Sequence, residues 1–228
     1  MKSHKSQKTI RSIFRDRDRT NLLKKQEEIA LSWLVQRIPP WISSNFLTGV
    51  GFFGNVIVSG SFILANYFHR AFLFLGLAGF AISWFGDSLD GRLAYYRKKA
   101  RKNYGFALDI IIDWVSIIII GFGYIIYAEG FWQLSGYGFV VMYGWEIIIS
   151  LIRYRITGKY SIDSGIMGPT EVRIIIGLMM VAEVFLPGSL NYSAALVVVV
   201  LFIFNIIDTR KLLRVGEKID QKRKKENS

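Results

Sequence analysis

Nearly all the positive charge of this chain is gathered into four blocks, and the sequence between them is almost free of charge. Of 29 Lys and Arg residues, 28 fall in 1–45, 91–104, 153–173 and the stretch after Asp208; Arg70 is the exception. The intervening stretches approach the ~20 apolar residues that a bilayer crossing requires. A chain so divided places its apolar stretches in lipid and its charged blocks in water. Composition agrees: 52% of the 228 residues are hydrophobic, 15% are aromatic, and the mean hydropathy is +0.33. That excludes a disordered chain and argues against a soluble nucleic-acid binder, despite a net charge of +12. Cysteine is absent and His4 and His69 are the only histidines, so disulfides, thiolate sites and a His-rich metal site are not expected.

The pattern predicts an all-α polytopic membrane protein with six transmembrane helices, at roughly 46–66, 70–86, 105–127, 132–152, 172–187 and 192–208. Residues 1–20 are basic without an apolar core and read as a solvated tail. Within 21–40, Leu22, Ile29, Ala30, Trp33, Leu34 and Ile38 recur at helical spacing, with charge on much of the other side. That stretch predicts an amphipathic helix in the membrane interface, or docked on protein, capped by Thr20 or Asn21 and ended by Pro39-Pro40. Residues 41–208 then form the six-helix domain, and 209–228 a second basic tail. Gly49, Gly51, Gly54 and Gly60 allow close helix approach in the first span. Six crossings put all four basic blocks on one face, which the positive-inside rule makes cytoplasmic, with both termini inside. The same blocks suit anionic lipid headgroups.

Acidic residues near the membrane are few, and four fall in one segment. Asp87 and Asp90 are three apart and share a face at the end of the second helix; Asp109 and Asp113 are four apart and share a face at the start of the third. A short basic loop joins these antiparallel neighbours, so the four carboxylates converge at the cytoplasmic membrane surface. Either they pair with Arg92, Arg97 or Lys98, or divalent cations relieve their repulsion. Oxygen ligands without His or Cys suit hard ions such as Mg²⁺, Mn²⁺ or Ca²⁺. Gly91 and Gly105 leave room for a ligand or a close backbone. Metal beside a basic loop is the equipment of phosphoryl or phosphatidyl transfer.

The run Asp87-x-x-Asp90-Gly91-x-x-Ala94, followed by Gly105-x-x-x-Asp109-x-x-x-Asp113, resembles the signature of the CDP-alcohol phosphotransferases. The preceding IPPWISSNFLTGVG, with Asn45 and Thr48, is similar to that family's approach to its first helix. SWFGDSLDGRLAYYRK and MGPTEVR together most resemble a bacterial subgroup. There are two departures: Tyr95 stands where the family has Arg, and ten residues separate Ala94 from Gly105, one more than usual. Arg97 is the candidate to supply the missing charge.

The resemblance implies a bacterial cytoplasmic membrane enzyme, a homodimer, that uses two Mg²⁺ or Mn²⁺ ions. It implies that Asp87, Asp90, Asp109 and Asp113 border the metals and that Asp113 is the general base. It places Gly91, Ala94 and Gly105 at the CDP pocket, with Asn45, Thr48 and Arg97 near it. The expected reaction joins CDP-diacylglycerol to a small polar alcohol and releases CMP. The reverse assignment, a soluble CDP-alcohol with diacylglycerol as acceptor, is the alternative within the class. A small helical transporter is the alternative outside it, although transporters place acids near the midplane.

Other polar residues are weighed singly. Arg153, Arg155 and Arg173 flank the same face and either bind an acceptor or lipid phosphate or serve as positive-inside anchors. Thr170 and Glu171 join that candidate set, or cap and favour the start of the fifth span. Glu146 and Glu183, inside the fourth and fifth spans, are functional suspects or hydrogen-bonded packing residues.

Overall fold

The computed structural model describes residues 24–158 and 169–226, and among these every regular element is helical. The helices are α1 (Lys24–Val35), α2 (Ser44–Tyr67), α3 (Leu73–Tyr96), α4 (Lys102–Tyr127), α5 (Gln133–Thr157), α6 (Pro169–Phe185) and α7 (Ser189–Glu226). Single 3₁₀ turns, Arg70–Phe72 and Gly130–Trp132, lead into α3 and α5. Among the described residues five segments are long and apolar enough to cross a membrane: those of α2, α3, α4, α5 and α7. The expected fifth span, α6, has 17 residues, or about 26 Å at 1.5 Å per residue. It falls just short of a typical ~30 Å hydrocarbon core.

Two expected boundaries move. The second span was drawn to end at 86, but α3 continues to Tyr96, so Asp87 and Asp90 lie on unbroken helix. The sixth was drawn to end at 208, but α7 continues to Glu226 because its basic extension is made of good helix formers. Ser43 caps α2, its hydroxyl accepting from the Phe46 N–H at 3.1 Å.

Helix α1 docks on the bundle. Leu31 and Val35, one turn apart, are 0% and 1% exposed and pack with Leu47, Leu89 and Leu93. Leu34 and Ile38 border that contact, whereas Ile29 and Trp33 point outward. The apolar face read from the sequence is therefore divided between protein and surroundings. Leu22, Asn21 and Thr20 lie outside the described residues.

Backbone contact organises the centre. A Cβ on Gly79 would lie 2.7 Å from the Gly54 carbonyl oxygen, and one on Gly51 would lie 3.0 Å from the Asp87 nitrogen. Gly86 meets Gly51 and Leu47 still more closely. Only glycine permits α2 and α3 to approach this far. Gly49 and Gly60, expected to help, face open space. On its other side α2 meets α4, where Gly123 sits on Ser59 and the Ser59 hydroxyl donates to the Ile119 carbonyl at 2.7 Å. Val58, Phe62, Leu73, Phe80, Ile120, Tyr124 and Met180 fill the core beside this seam. Apolar side chains on the outside, such as Ile118 and Phe122 of α4 and Phe202 and Ile203 of α7, are exposed, as a lipid-facing surface requires.

Glu183 proves structural. It is 3% exposed, and its carboxylate accepts from the Tyr127 hydroxyl (2.7 Å), the Gly188 N–H (2.9 Å), the Leu190 N–H (2.7 Å) and the Ser189 hydroxyl (3.3 Å). It satisfies backbone donors at the start of α7 that would otherwise be orphaned in an apolar setting. Glu146 lies half-buried within α5.

Candidate active site

The glycine seam brings Thr48, Gly51 and Asn55 of α2 beside Asp87 and Asp90 of α3, at the end of the bundle where α4 begins. Asp109 and Asp113, about two and three turns into α4, complete one small cleft. Phe52, Ile112 and Arg173 close its walls. All four carboxylates singled out by their spacing thus line the same cleft, with one of the candidate arginines.

Each α3 carboxylate has a fixed partner. Asp90 is 9% exposed. The Thr48 hydroxyl donates to its Oδ2 at 2.7 Å, and the Gly91 N–H donates to its Oδ1. Two donors orient this buried carboxylate. Arg173, from the first turns of α6, donates to Asp87 Oδ2 at 2.8 Å in a largely buried ion pair. The hydroxyl of Thr48, a residue expected near the CDP pocket, serves Asp90. Asn55, Phe52 and Ile112 were not singled out from the sequence. Their signal was available, since Asn55 lies seven residues, two helical turns, after Thr48.

The donor set is that of a hard divalent cation: four carboxylates and a hydroxyl, with no sulfur or imidazole lining the cleft. As the side chains stand, no three acidic or histidine side chains among the described residues are gathered closely enough to ligate one ion. The Arg173 guanidinium provides positive charge at Asp87 in this arrangement. The residues fit the ion in chemistry, and Asp87 would exchange one positive partner for another.

Around the cleft the remaining candidates separate. A Cβ on Gly91 or Gly105 would meet nothing within 4 Å, so both positions open onto free space, and Ala94 is half-buried between them in sequence. Asn45 belongs to a polar group at the start of α2 and α4. Arg101 donates to its Oδ1 at 2.9 Å and lies 3.9 Å from the centre of the Tyr104 ring, whose hydroxyl accepts from Asn45 Nδ2 at 3.4 Å. Arg101 and Tyr104 were not among the expected site residues.

Arg97 departs from expectation. Helix α3 ends at Tyr96, and Lys98 adopts a left-handed conformation with φ of 56°, so the chain turns where the compensation idea required it to turn. The guanidinium, however, donates to the carbonyls of Ile38 (3.1 Å), Pro39 (2.8 Å) and Ile42. Those carbonyls belong to the proline-interrupted loop between α1 and α2, which has no helical donors to offer them. Arg97 clamps this loop, so the charge expected beside Tyr95 is spent on backbone.

The other cations are also sorted. Arg153 pairs with Asp208 of α7 at 3.6 Å, and Lys211 reaches the same carboxylate at 3.1 Å. Neither Arg153 nor Arg155, which is exposed near the end of α5, lines the cleft. Helix α6 begins at Pro169, a residue suited to the first helical position, so Thr170 lies within the first turn rather than at the cap. Glu171 is also in that turn, where the helix dipole favours an acid.

No curated protein and no solved structure matches the chain. A family model described as CDP-alcohol phosphatidyltransferase matches residues 41–208, which takes in the cleft and all of α2 through α6. With the four aspartates of the family resemblance converging at one end of the bundle, the chain belongs to the CDP-alcohol phosphatidyltransferases, a family of membrane transferases.

Proposed function

We propose that this protein transfers the phosphatidyl group of CDP-diacylglycerol to a small polar alcohol and releases CMP, in phospholipid synthesis at a bacterial cytoplasmic membrane. The observation that carries this reading is the convergence of Asp87, Asp90, Asp109 and Asp113 on one cleft between the helices. A transporter's acids would lie at broken helices, whereas α3 and α4 run unbroken through this cleft.

Asp87, Asp90 and Asp109 would hold Mg²⁺ or Mn²⁺, with Asp113 bordering them. Two such ions, when bound, supply positive charge to the diphosphate and to the departing phosphate. Asp113 accepts the proton of the alcohol hydroxyl. The alcohol oxygen forms a bond to the phosphorus that carries diacylglycerol. The bond from that phosphorus to the bridging oxygen breaks, and its electron pair leaves with CMP. Thr48 and the Gly91 N–H keep Asp90 oriented. Open space at Gly91 and Gly105 admits the CDP portion along Ala94, with Asn45, Arg101 and Tyr104 at its outer end. Arg173 lies where it can meet an anionic acceptor or lipid phosphate when Asp87 turns to metal.

The charge blocks support six crossings, α6 included, with the cleft and both ends of the chain on the cytoplasmic side. Exposed Ile29 and Trp33 suit the outer face of α1 to the membrane interface. The working form is a homodimer. Incubation of the purified protein with CDP-diacylglycerol, Mn²⁺ and a panel of alcohols, with CMP release as readout, tests the reaction. Release only from a soluble CDP-alcohol in the presence of diacylglycerol would reverse the substrate assignment. Release from neither would sink it.

A further inference from the structure

At the end of the bundle opposite the carboxylate cleft lies a cavity of about 520 Å³. On α2 the nearest lining residues are Asn55 of the cleft and Ala65 of the cavity, so about 15 Å of helix separates the two sites. This volume falls within the range of small-ligand pockets.

Its wall carries both acids and hydrogen-bond donors. Glu183 lines the cavity, but its two oxygens already accept four donors, including the Tyr127 hydroxyl. Asn191 Oδ1 accepts from the Tyr124 hydroxyl at 3.2 Å, which leaves its amide N–H groups to face other partners. His69 Nδ1 accepts from the Ala71 N–H at 3.1 Å, so its Nε2 is the donor. Arg70 lines the same space and contributes a guanidinium fork near Tyr127. Arg70, His69 and Asn191 are the donors on this wall, with Asn66 beside them, Glu183 occupied by its own four donors, and Glu129 at the exposed rim.

Arg70 is the one Lys or Arg of the sequence outside the four basic blocks. Among the described residues no other Lys or Arg lines this cavity, and its guanidinium is the group there suited to an anion. Tyr67 and Phe68, 70% and 73% exposed, stand beside it, as aromatic side chains do at a membrane–water boundary.

We propose that this cavity is a phosphate-binding site, with Arg70, His69 Nε2 and the Asn191 amide as donors, and that the phosphate is a phospholipid headgroup of the leaflet opposite the cleft. The Glu183 hydrogen bonds hold its wall rigid. The site stands independently of the transfer reaction, because it shares no residue with the carboxylate cleft.

The test measures binding of dihexanoyl-phosphatidylglycerol, of sn-glycerol 3-phosphate and of dihexanoylglycerol to the full chain in detergent, by native mass spectrometry. Arg70→Gln should weaken phosphatidylglycerol binding at least about tenfold, the equivalent of one charge-assisted hydrogen bond. His69→Ala should weaken it about threefold. Arg70→Lys, which keeps charge without the fork, should fall between wild type and Arg70→Gln; this variant and His69→Ala decide the matter if Arg70→Gln does not fold. Dihexanoylglycerol should show no dependence on Arg70. Equal Arg70-dependent binding of glycerol 3-phosphate would keep the phosphate site and make its ligand a soluble ester. If binding of both phosphate compounds is indifferent to Arg70 and His69, the proposal is overturned.

Discussion

Arg173 and Asp87 are 86 residues apart in sequence and 2.8 Å apart in space. Their ion pair ties α6 to α3 at the cleft, and it gives one of four crowded carboxylates its positive partner. A divalent cation bound at Asp87 must compete with this guanidinium.

Removing the competitor should therefore have two opposite effects. Arg173→Gln should bind Mn²⁺ severalfold more tightly. Without metal it should be less stable by about 1–2 kcal/mol, below the usual cost of breaking a fully buried pair. Mn²⁺ titrations followed by calorimetry and by thermal unfolding measure both. Unchanged affinity together with unchanged stability would show that the pair does not guard the site.

The carboxylates themselves should divide by role. Asp87→Asn, Asp90→Asn and Asp109→Asn should abolish nearly all CMP release, and EDTA should do the same to the wild type. Asp113→Asn should lose about 10²–10⁴-fold, the usual cost of removing a general base, or more if it also touches metal. Thermal unfolding in detergent should confirm that each variant is folded. Full activity in EDTA would refute metal dependence.

Thr48 acts through Asp90. Thr48→Val deletes the donor to a buried carboxylate oxygen and should cost about tenfold in CMP release, in line with ~1.5 kcal/mol for a charge-assisted bond. Thr48→Ser keeps the hydroxyl and should recover most of the rate. If Thr48→Val and Thr48→Ser have the same rate, the hydroxyl is not what orients Asp90.

The Arg97 clamp predicts a stability effect rather than a substrate effect. Arg97→Ala should destabilise the fold by about 2 kcal/mol, since it strips charged donors from several loop carbonyls. The KM for CDP-diacylglycerol should change little. Next to it, Lys98→Gly should stabilise by up to about 1 kcal/mol, because glycine adopts a φ of 56° without penalty. A raised KM with unchanged melting in Arg97→Ala would return this residue to the nucleotide.

Orientation can be read with reporters. Fusions after Ser228 and within 91–104 should report cytoplasm, and one near Gly188 should report the opposite side. A non-cytoplasmic signal from the 91–104 fusion would separate the cleft from cytosolic CDP-lipid chemistry.

The four aspartates were legible because helical periodicity alone puts i,i+3 and i,i+4 pairs on one face, and because a short loop makes α3 and α4 antiparallel. Hydropathy located the long helices for an equally local reason. Which arginine turns inward was not legible. Arg153, Arg155 and Arg173 lie on one side of the membrane by the same charge rule, and only packing decides that Arg173 meets Asp87 while Arg153 meets Asp208. The partners of Arg97 were not legible because they are backbone carbonyls, which no side-chain pattern announces. Glycines divided in the same way: Gly51 and Gly54 face α3 while Gly49 and Gly60 do not, a matter of helix rotation that their spacing left open.

The seam between α2 and α3 has a bearing on how errors propagate through this molecule. Sliding one helix by a single residue would shift Thr48 by about 1.5 Å and swing it about 100° around its axis. Side chains can absorb part of such a slip by changing rotamer, but main-chain atoms in contact at Gly54 and Gly79 cannot. The pair behaves like a notched ruler, with one allowed setting and none between. Alignment of the reactive end is thus inherited from glycines about two turns deeper. A methyl group added there should misalign Asp90 without touching it.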